Sequence, residues 1–139
     1  MSEAFHGAKI ALLFGDRLVA YRRDRKPGIP NPGLWDLPGG GREGDESPEQ
    51  CAMREVEEEF ALRLDPARIR WRRIFPSVDH PGHQGWFFVA LIEEAEVAAI
   101  RFGPEGEEWR MMAIADFIAS PEAVPALRER LGAYLEGLA

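Results

Sequence analysis

A glycine-rich stretch that runs directly into an acidic, helix-like segment constrains this 139-residue chain more than any other feature. Residues 37–62 read LPGGGREGDESPEQCAMREVEEEFAL. Ser47 can cap a helix, Pro48 suits the first helical position, and Gln50, three residues after the cap, can complete a capping box. The segment therefore predicts a tight turn followed by a helix that begins at Pro48.

The predicted helix has an apolar face and an acidic face. At about 100° per residue, one stripe collects apolar side chains that suit a core: Ala52, Met53, Val56 and Phe60. Glu55, Glu58 and Glu59 project together from an adjacent face, because positions three and four apart are neighbours on a helix. Glu57 lies on the far side. The helix therefore presents a group of three carboxylates.

Such a group favours a bound cation. Like charges at this spacing destabilise a helix by about 0.2–0.5 kcal/mol per pair. Mg²⁺ prefers carboxylate oxygens and commonly links protein carboxylates to the phosphates of a substrate. Arg54 can reach Glu58 on the next turn and Glu46 at the start of the helix, and can orient either through a bidentate ion pair. The alternative is a solvated acidic helix face that binds nothing.

The spacing resembles the Nudix box, G-x5-E-x7-R-E-U-x-E-E-x-G-U, in which U is a bulky aliphatic residue. Eight of the nine specified positions match, from Gly40 and Glu46 through Arg54 to Leu62. At everyday residue frequencies the charged and Gly positions would coincide by chance less than about once in a million placements. The departure is Ala61, where the pattern has Gly. We expect Ala61 to stay in a right-handed helical turn, because the following residues include no Gly or Asn to take a left-handed cap.

The resemblance implies an α/β/α sandwich with a mixed sheet, and hydrolysis of a diphosphate linkage in a nucleoside diphosphate derivative. The chain is similar to the branch of the family that cleaves nucleoside triphosphates, including those of oxidised purines, to the monophosphate and pyrophosphate. A dinucleotide polyphosphate or a nucleotide sugar would use the same box. A nucleotide-sensing domain without catalysis is a further alternative. Another is an allylic isomerase, whose chemistry resembles Cys and Glu acting together, although Cys51 lies before the reactive face of the helix. Because every carboxylate of the box is present, we expect an active enzyme.

The resemblance also implies ligands and roles. Mg²⁺, or Mn²⁺ in its place, would be held by four groups: the carboxylates of Glu55, Glu58 and Glu59 and the carbonyl of Gly39. Glu108, which precedes Trp109, is similar to an acidic residue that many members carry downstream of the box. It would supply a further metal ligand or position the attacking water. Either Glu55 or Glu108 would accept the proton of that water.

Composition and charge indicate the number of domains, the kind of partner and the compartment. Hydrophobic residues make up 45% of the chain, enough for the core of one domain over residues 1–139. The net charge of −7 argues against a nucleic-acid polymer as partner. We expect a small nucleotide or nucleotide conjugate as the partner, and a monomer or homodimer. Cys51 is the only cysteine, which fits a reducing cytoplasm. The sequence contains no run of eighteen apolar residues, so we expect no membrane segment.

The segment before the Gly-rich turn predicts a hairpin followed by a loop. Residues 8–14 and 17–23 are apolar runs that flank Gly15-Asp16, a pair that suits a type II′ turn. Residues 24–33 contain three prolines and predict a loop that borders the site. Three cations of this region could contact phosphates or be solvated surface: Arg22, Arg23 and Lys26.

After the acidic helix, the pattern predicts two strands, a loop and a terminal helix. Residues 69–78 predict a strand, and the apolar run 86–92 suits a buried strand central in the sheet, after a turn over 79–85. Residues 93–107 predict mainly loop. Ser120-Pro121 would begin a helix with an apolar stripe: Val124, Leu127, Leu131 and Leu135. Three aromatic side chains could stack on a base or belong to the core: Trp35, Phe75 and Trp86.

Overall fold

The structure is a computed structural model that describes residues 5–77 and 80–138. Within those residues the elements are, in chain order: β1 Phe5–Phe14, β2 Arg17–Arg22, β3 Trp35–Asp36, β4 Gly39–Gly41, α1 Pro48–Phe60, a 3-10 turn Pro66–Arg68, β5 Ile69–Pro76, β6 Gln84–Leu91, α2 Glu94–Ala99, β7 Glu108–Ala113, α3 Ile114–Ala119 and α4 Pro125–Gly137.

The strands form one mixed sheet in the order β3-β2-β1-β6-β5, with β4 also paired to β1 and β7 to β2. β1 and β6 are parallel, and the other pairs are antiparallel. β1 pairs with β2 near its end, where Leu13 is opposite Leu18, and with β4 near its start, where Gly7 is opposite Gly41. The Gly-rich strand therefore lies beside the middle of the sheet.

Helices cover both faces of this sheet. Alternate residues of a strand point to opposite faces, so Ile10 and Leu12 of β1 belong to one apolar cluster and Ala11 and Leu13 to the other. The first cluster includes the apolar stripe of α1, and the second includes side chains of α3 and α4. Complete burial of a large apolar side chain such as Phe60 contributes about 1.5–3 kcal/mol. The predicted α/β sandwich is confirmed.

The predicted hairpin and buried strand are also present. Gly15 has a φ of +61°, whereas the φ of Asp16 is not positive, as a type II′ turn requires. β6 lies between β1 and β5, and its residues 87–90 are buried. Val78, at the end of the predicted strand, and Asp79, at the start of the predicted turn, lie outside the described residues.

The segment predicted as mainly loop contains a helix, α2, which the sequence interpretation missed. Reciprocal hydrogen bonds between Glu93 and Glu96 form a capping box at its start. Six residues are too few to display an apolar stripe with a helical period. A short helix of this kind therefore leaves little trace in the sequence pattern.

The terminal helix begins at Pro125 and not after Ser120-Pro121, so its predicted start was wrong. Backbone pairing explains the delay: Trp35 N–H donates to the Glu122 carbonyl at 2.7 Å, and Val124 N–H donates to the Trp35 carbonyl at 3.0 Å. These bonds to β3 hold the segment before Pro125 in an extended form.

The apolar stripe predicted for this helix is correct in part. Val124, Leu127 and Leu131 are buried, but Leu135 is exposed and Tyr134 is buried instead. α3, which precedes this helix, was not predicted, and its Phe117 belongs to the same apolar cluster.

Ala61 ends α1 in the left-handed conformation, with φ 57° and ψ 32°, so the expected right-handed turn was wrong. The carbonyls of Glu59 and Phe60 accept hydrogen bonds from the N–H groups of Gly103 and Arg101, at 2.8 and 3.0 Å. A distant loop thus satisfies carbonyls that a helix end leaves without intrahelical partners. These tertiary bonds end the helix where the local sequence provides no favourable cap.

We expect Ala61→Gly to leave stability unchanged or to raise the free energy of unfolding by up to about 1 kcal/mol. Gly removes the steric cost of a left-handed Ala, about 1–2 kcal/mol, but makes the unfolded chain more flexible by about 0.4–1 kcal/mol. Denaturant melts measure the difference, and turnover should be unchanged because the carboxylates lie upstream. A lower midpoint for the Gly variant would contradict this prediction.

Candidate active site

Local sequence determines where the acidic helix begins. Ser47 Oγ accepts a hydrogen bond from Gln50 N–H at 3.1 Å, and Gln50 Oε1 accepts one from Ser47 N–H at 2.9 Å. Both bonds of the predicted capping box are therefore present, and Pro48 is the first helical residue. The apolar stripe of α1 packs into the first apolar cluster, and the adjacent acidic face lies beside β4, where Glu59 accepts a hydrogen bond from Gly39 N–H.

Arg54 organises the outer side of that face. Its guanidinium forms a bidentate pair with Glu46, with Nε–Oε2 and Nη2–Oε1 distances of 2.6 and 3.1 Å. Nη1 lies 3.0 Å from Glu55 Oε2 and 3.2 Å from Glu58 Oε1, and Nη2 donates to the Gly41 carbonyl at 2.9 Å. The hydrogen bond from Arg54 lowers the pKa of Glu46. Arg54 therefore holds Glu55 in place from one side.

Three carboxylates converge on the inner side of the face. Glu55 and Glu59 of α1 meet Glu105, from the loop before β7, with one oxygen of each within 4.8 Å of the others. In the described part of the chain, no other three His, Cys, Asp or Glu side chains converge in this way. We call these three residues the carboxylate cluster.

Two residues predicted as metal ligands lie outside the carboxylate cluster. The Glu58 side chain is 51% exposed and pairs with Arg54. Glu108 lies on β7, and its equally exposed carboxylate is 3.4 Å from the Arg110 guanidinium. Glu57, expected on the far side of the helix, is paired there with a surface arginine.

Glu105 reaches the carboxylate cluster because its loop covers the end of α1. The loop is held by the backbone hydrogen bonds that also end the helix, including Gly103 N–H to the Glu59 carbonyl at 2.8 Å. A Cβ added at Gly103 would lie 3.1 Å from the Glu58 carbonyl oxygen, so this close approach favours glycine. Sequence reasoning missed Glu105. The only local signal is the turn composition of residues 103–106, which does not say where the loop folds.

The Gly-rich strand β4 lies against two members of the cluster. Gly39 N–H donates to Glu59 Oε1 at 2.9 Å. A side chain at Gly40 would overlap the Glu55 carboxylate, and one at Gly39 would overlap the backbone of β1. Gly39 also has a φ of +134°, which L-residues rarely adopt. The glycines therefore allow the strand to approach the carboxylates closely.

Burial makes the two helix carboxylates weaker acids. Glu59 is 3% exposed, and its burial raises its pKa to about 8, with Glu55 adding to the shift and Lys9 opposing it. Burial also raises the pKa of Glu55, against the lowering effect of Arg54. A divalent cation would relieve this unfavourable concentration of carboxylates. Three converging carboxylates are a donor set that fits a hard cation such as Mg²⁺ or Mn²⁺.

A buried ionic network lies beside the carboxylate cluster, centred on Asp36. Its Oδ1 accepts a hydrogen bond from Leu37 N–H at 2.7 Å. Its Oδ2 accepts from three side chains: Lys9 Nζ at 3.0 Å, Arg23 Nη1 at 2.8 Å and Tyr21 Oη at 3.1 Å. Burial by itself raises the pKa of Asp36, but Lys9 and Arg23 outweigh it and hold that pKa below its ordinary value. Asp36 is therefore ionised and fully hydrogen-bonded.

We expect Asp36→Asn to lower the free energy of unfolding at pH 7 by about 2–4 kcal/mol, because an amide cannot replace the charge or accept all four bonds. The depressed folded pKa stabilises the protein above the unfolded value of about 3.9, and this contribution is lost as the pH falls through the lower folded value. The stability difference between the two proteins, measured by denaturant titrations, should therefore start to shrink only below about pH 4 and vanish as the pH falls through the folded pKa. A stability difference independent of pH would contradict the assignment.

A cavity of about 370 Å³ connects the carboxylate cluster with the Asp36 network. Of the three cations suggested as phosphate contacts, Arg23 lines this cavity. Arg22 instead lies 3.5 Å from a Glu122 oxygen and over the Trp35 ring, and Lys26 is exposed. Of the three aromatic candidates, Trp86 lines the cavity, whereas Trp35 is buried in the core.

The fold and the site together define a class of protein: an α/β/α domain in which a Gly-rich strand and an acidic helix border a cavity of ligand size. Residues 5–133 match the family model of the NUDIX domain. The chain belongs to the Nudix family.

Two curated relatives match part of the chain. A Mycobacterium tuberculosis protein provisionally named 8-oxo-dGTP diphosphatase 3 is 33% identical over 63 residues, which are 45% of this chain and 29% of that protein. RNA pyrophosphohydrolase of Tolumonas auensis is 31% identical over 94 residues, covering 55% of this chain and 54% of that protein. The chain thus spans between 29% and 54% of the length of these relatives.

Solved structures share the fold over nearly the whole chain. The MutT protein from Methanosarcina mazei Go1 has a TM-score of 0.77 at 18% identity, covering 99% of this chain and 97% of that chain. A Nudix hydrolase from Nitrosomonas europaea has a TM-score of 0.72 at 21% identity, covering 98% of this chain and 72% of that chain. At these identities the likeness concerns the fold. None of the helices in the described ranges has the length and apolar character to cross a membrane.

Proposed function

We propose that this protein is a metal-dependent pyrophosphohydrolase that cleaves a diphosphate linkage in a nucleoside diphosphate derivative. The observation that carries the proposal is the convergence of Glu55, Glu59 and Glu105 at the wall of the cavity. Three carboxylates repel a polyphosphate at short distance, so the two can meet only with a cation between them. The membership of the Nudix family supports the same reaction class.

The carboxylate cluster and the Gly39 carbonyl are the groups proposed to hold Mg²⁺ or Mn²⁺. Glu58 and Glu108, the other ligands that the sequence suggests, would have to turn inward from exposed positions. The bound cation would neutralise phosphate charge and make a bound water more acidic. This proposal therefore gives Glu105 the place for which sequence alone suggested Glu108.

Glu55 is proposed as the base that accepts the proton of the attacking water. Its carboxylate belongs to the cluster and is held by Arg54, which also forms a bidentate pair with Glu46. Arg54 and Glu46 would thus orient the base without touching the substrate. Glu108 is the alternative base, but its carboxylate is exposed and lies next to Arg110. A general base must come within hydrogen-bond reach of the proton that it removes.

The substrate is proposed to be a nucleoside triphosphate, cleaved to the monophosphate and pyrophosphate, with an oxidised purine as a candidate base. The relative named 8-oxo-dGTP diphosphatase 3 supports this choice over the matched part, and Trp86 offers a ring to a base. Dinucleotide polyphosphates and nucleotide sugars carry the same diphosphate group. The protein is proposed to act on small nucleotides in a reducing cytoplasm, as a monomer or homodimer.

A screen tests the proposal: nucleoside triphosphates, their 8-oxo-purine forms, dinucleotide polyphosphates, nucleotide sugars and triphosphorylated RNA, each with Mg²⁺. Release of phosphate or pyrophosphate is measured. We expect pyrophosphate from a nucleoside triphosphate. RNA is included because one matched relative is named RNA pyrophosphohydrolase. Nucleotide binding without any product would instead indicate a sensing domain and would refute the enzyme.

A further inference from the structure

Lys9 connects the Asp36 network to the Gly-rich strand. Its ammonium nitrogen lies 3.0 Å from Asp36 Oδ2, 3.1 Å from the Leu37 carbonyl oxygen and 3.3 Å from the Gly39 carbonyl oxygen. A lysine ammonium has three N–H donors, so these three acceptors can use all of them. Although Lys9 lines the cavity, its hydrogen bonds therefore go to the protein.

Gly39 is the residue through which Lys9 reaches the carboxylate cluster. The two residues are opposite each other in the β1–β4 pair. A Cβ added at Gly39 would lie 2.7 Å from Lys9 Cα and 2.9 Å from Lys9 Cδ, so the lysine stem passes directly over the glycine. While the Gly39 carbonyl accepts from Lys9, its N–H donates to Glu59 Oε1 at 2.9 Å. Gly39 is thus held from both sides.

We propose that Lys9 is a positioning residue of the active site, which fixes the Gly39 backbone so that its N–H orients the Glu59 carboxylate. A glycine at a φ of +134° has no side chain to restrict its backbone, so its orientation depends on its hydrogen bonds. Lys9 supplies one bond to the carbonyl, whose second lone pair stays available to the proposed cation. The competing explanation is that Lys9 serves only to neutralise the buried charge of Asp36.

Three variants separate these explanations: Lys9→Met, Asp36→Asn and the double variant. Met keeps an unbranched apolar stem and removes the ammonium group. If Lys9 only neutralised Asp36, its removal would have no further effect in the Asp36→Asn background, and the double variant would be as active as Asp36→Asn. If Lys9 positions Gly39, the double variant is slower than Asp36→Asn, because the carbonyl of Gly39 then lacks its donor. Asp36 keeps its ion pair with Arg23 in Lys9→Met, and the comparison within the Asp36→Asn background keeps the test informative if Lys9→Met folds poorly.

We expect kcat of Lys9→Met to fall about 10–100-fold, the loss typical of removing a group that orients a metal ligand, with KM changed less than about threefold. The double variant should be slower than Asp36→Asn by a similar factor. The other lysine of the chain, the exposed Lys26, provides the matched control: Lys26→Met should keep kcat within about twofold of the wild type. A double variant within about threefold of the kcat of Asp36→Asn would overturn the proposal.

Amide hydrogen exchange gives a readout that needs no turnover. In chelator, the Gly39 N–H of Lys9→Met should exchange at least about tenfold faster than in the wild type, while the amides of β6 keep their protection. Unchanged exchange at Gly39 would overturn the positioning role. The kinetic experiment rests on the proposed function, whereas the hydrogen-exchange experiment does not. A wild-type protein that hydrolyses no nucleotide would refute that function and leave the exchange measurement decisive for Lys9.

Discussion

Glu59→Gln should reduce turnover about 10²–10⁴-fold with little effect on stability, because it keeps the shape of the side chain and removes a charge that the metal requires. Gln can still accept the Gly39 N–H through its Oε1. Burial raises the pKa of Glu59 to about 8, so ionisation of this carboxyl destabilises the metal-free fold as the pH rises towards that value. The variant should therefore unfold at the same or a higher temperature in chelator.

Glu57→Gln is the matched control, with the same chemical change on the opposite face of α1. Glu57 is exposed and pairs with Arg63 at 2.9 Å, far from the carboxylate cluster. Its turnover should stay within about twofold of the wild type, since surface substitutions away from a site have small effects. Equal losses in both variants, measured at saturating Mg²⁺ and substrate, would refute the placement of the site.

Removal of divalent cations should abolish turnover, and added Mg²⁺ or Mn²⁺ should restore it. The carboxylate cluster and a polyphosphate are both anionic, so the Coulomb repulsion between them prevents productive binding without a cation. A cation that binds only the folded protein also stabilises it, by about 2.7 kcal/mol at one hundred times its Kd. Millimolar Mg²⁺ should therefore raise the melting temperature. Hydrolysis that persists in excess chelator would refute the metal mechanism.

Mn²⁺ titrations should distinguish Glu105 from Glu108 as the additional ligand. Glu105→Gln removes a member of the carboxylate cluster, so we expect Mn²⁺ binding to weaken at least about tenfold. Glu108→Gln is the matched control on the neighbouring strand, where the carboxylate pairs with Arg110. It should change the affinity by less than about twofold. The reverse order would support the ligand that the family resemblance suggests.

Local interactions made several features predictable from the sequence alone. The start of α1 depends on Ser47, Pro48 and Gln50, which lie within one helical turn of each other. The acidic face and the apolar stripe follow from the helical period, and the hairpin follows from the two residues at its turn. The family followed from the spacing of one 23-residue box, read from Gly40 to Leu62.

The tertiary structure decided the features that depend on contacts between distant segments. Gly103 and its neighbours end α1 at Ala61 and bring Glu105 to Glu59, although no local pattern links these residues. Pairing with β3 likewise makes α4 begin at Pro125, later than the sequence predicted. Lys9 and Asp36 are 27 residues apart, and only the folded sheet joins them. The sequence alone therefore determined the acidic helix and its family. Long-range hydrogen bonds and burial decided which carboxylates converge, because neither is encoded within a few residues of the chain.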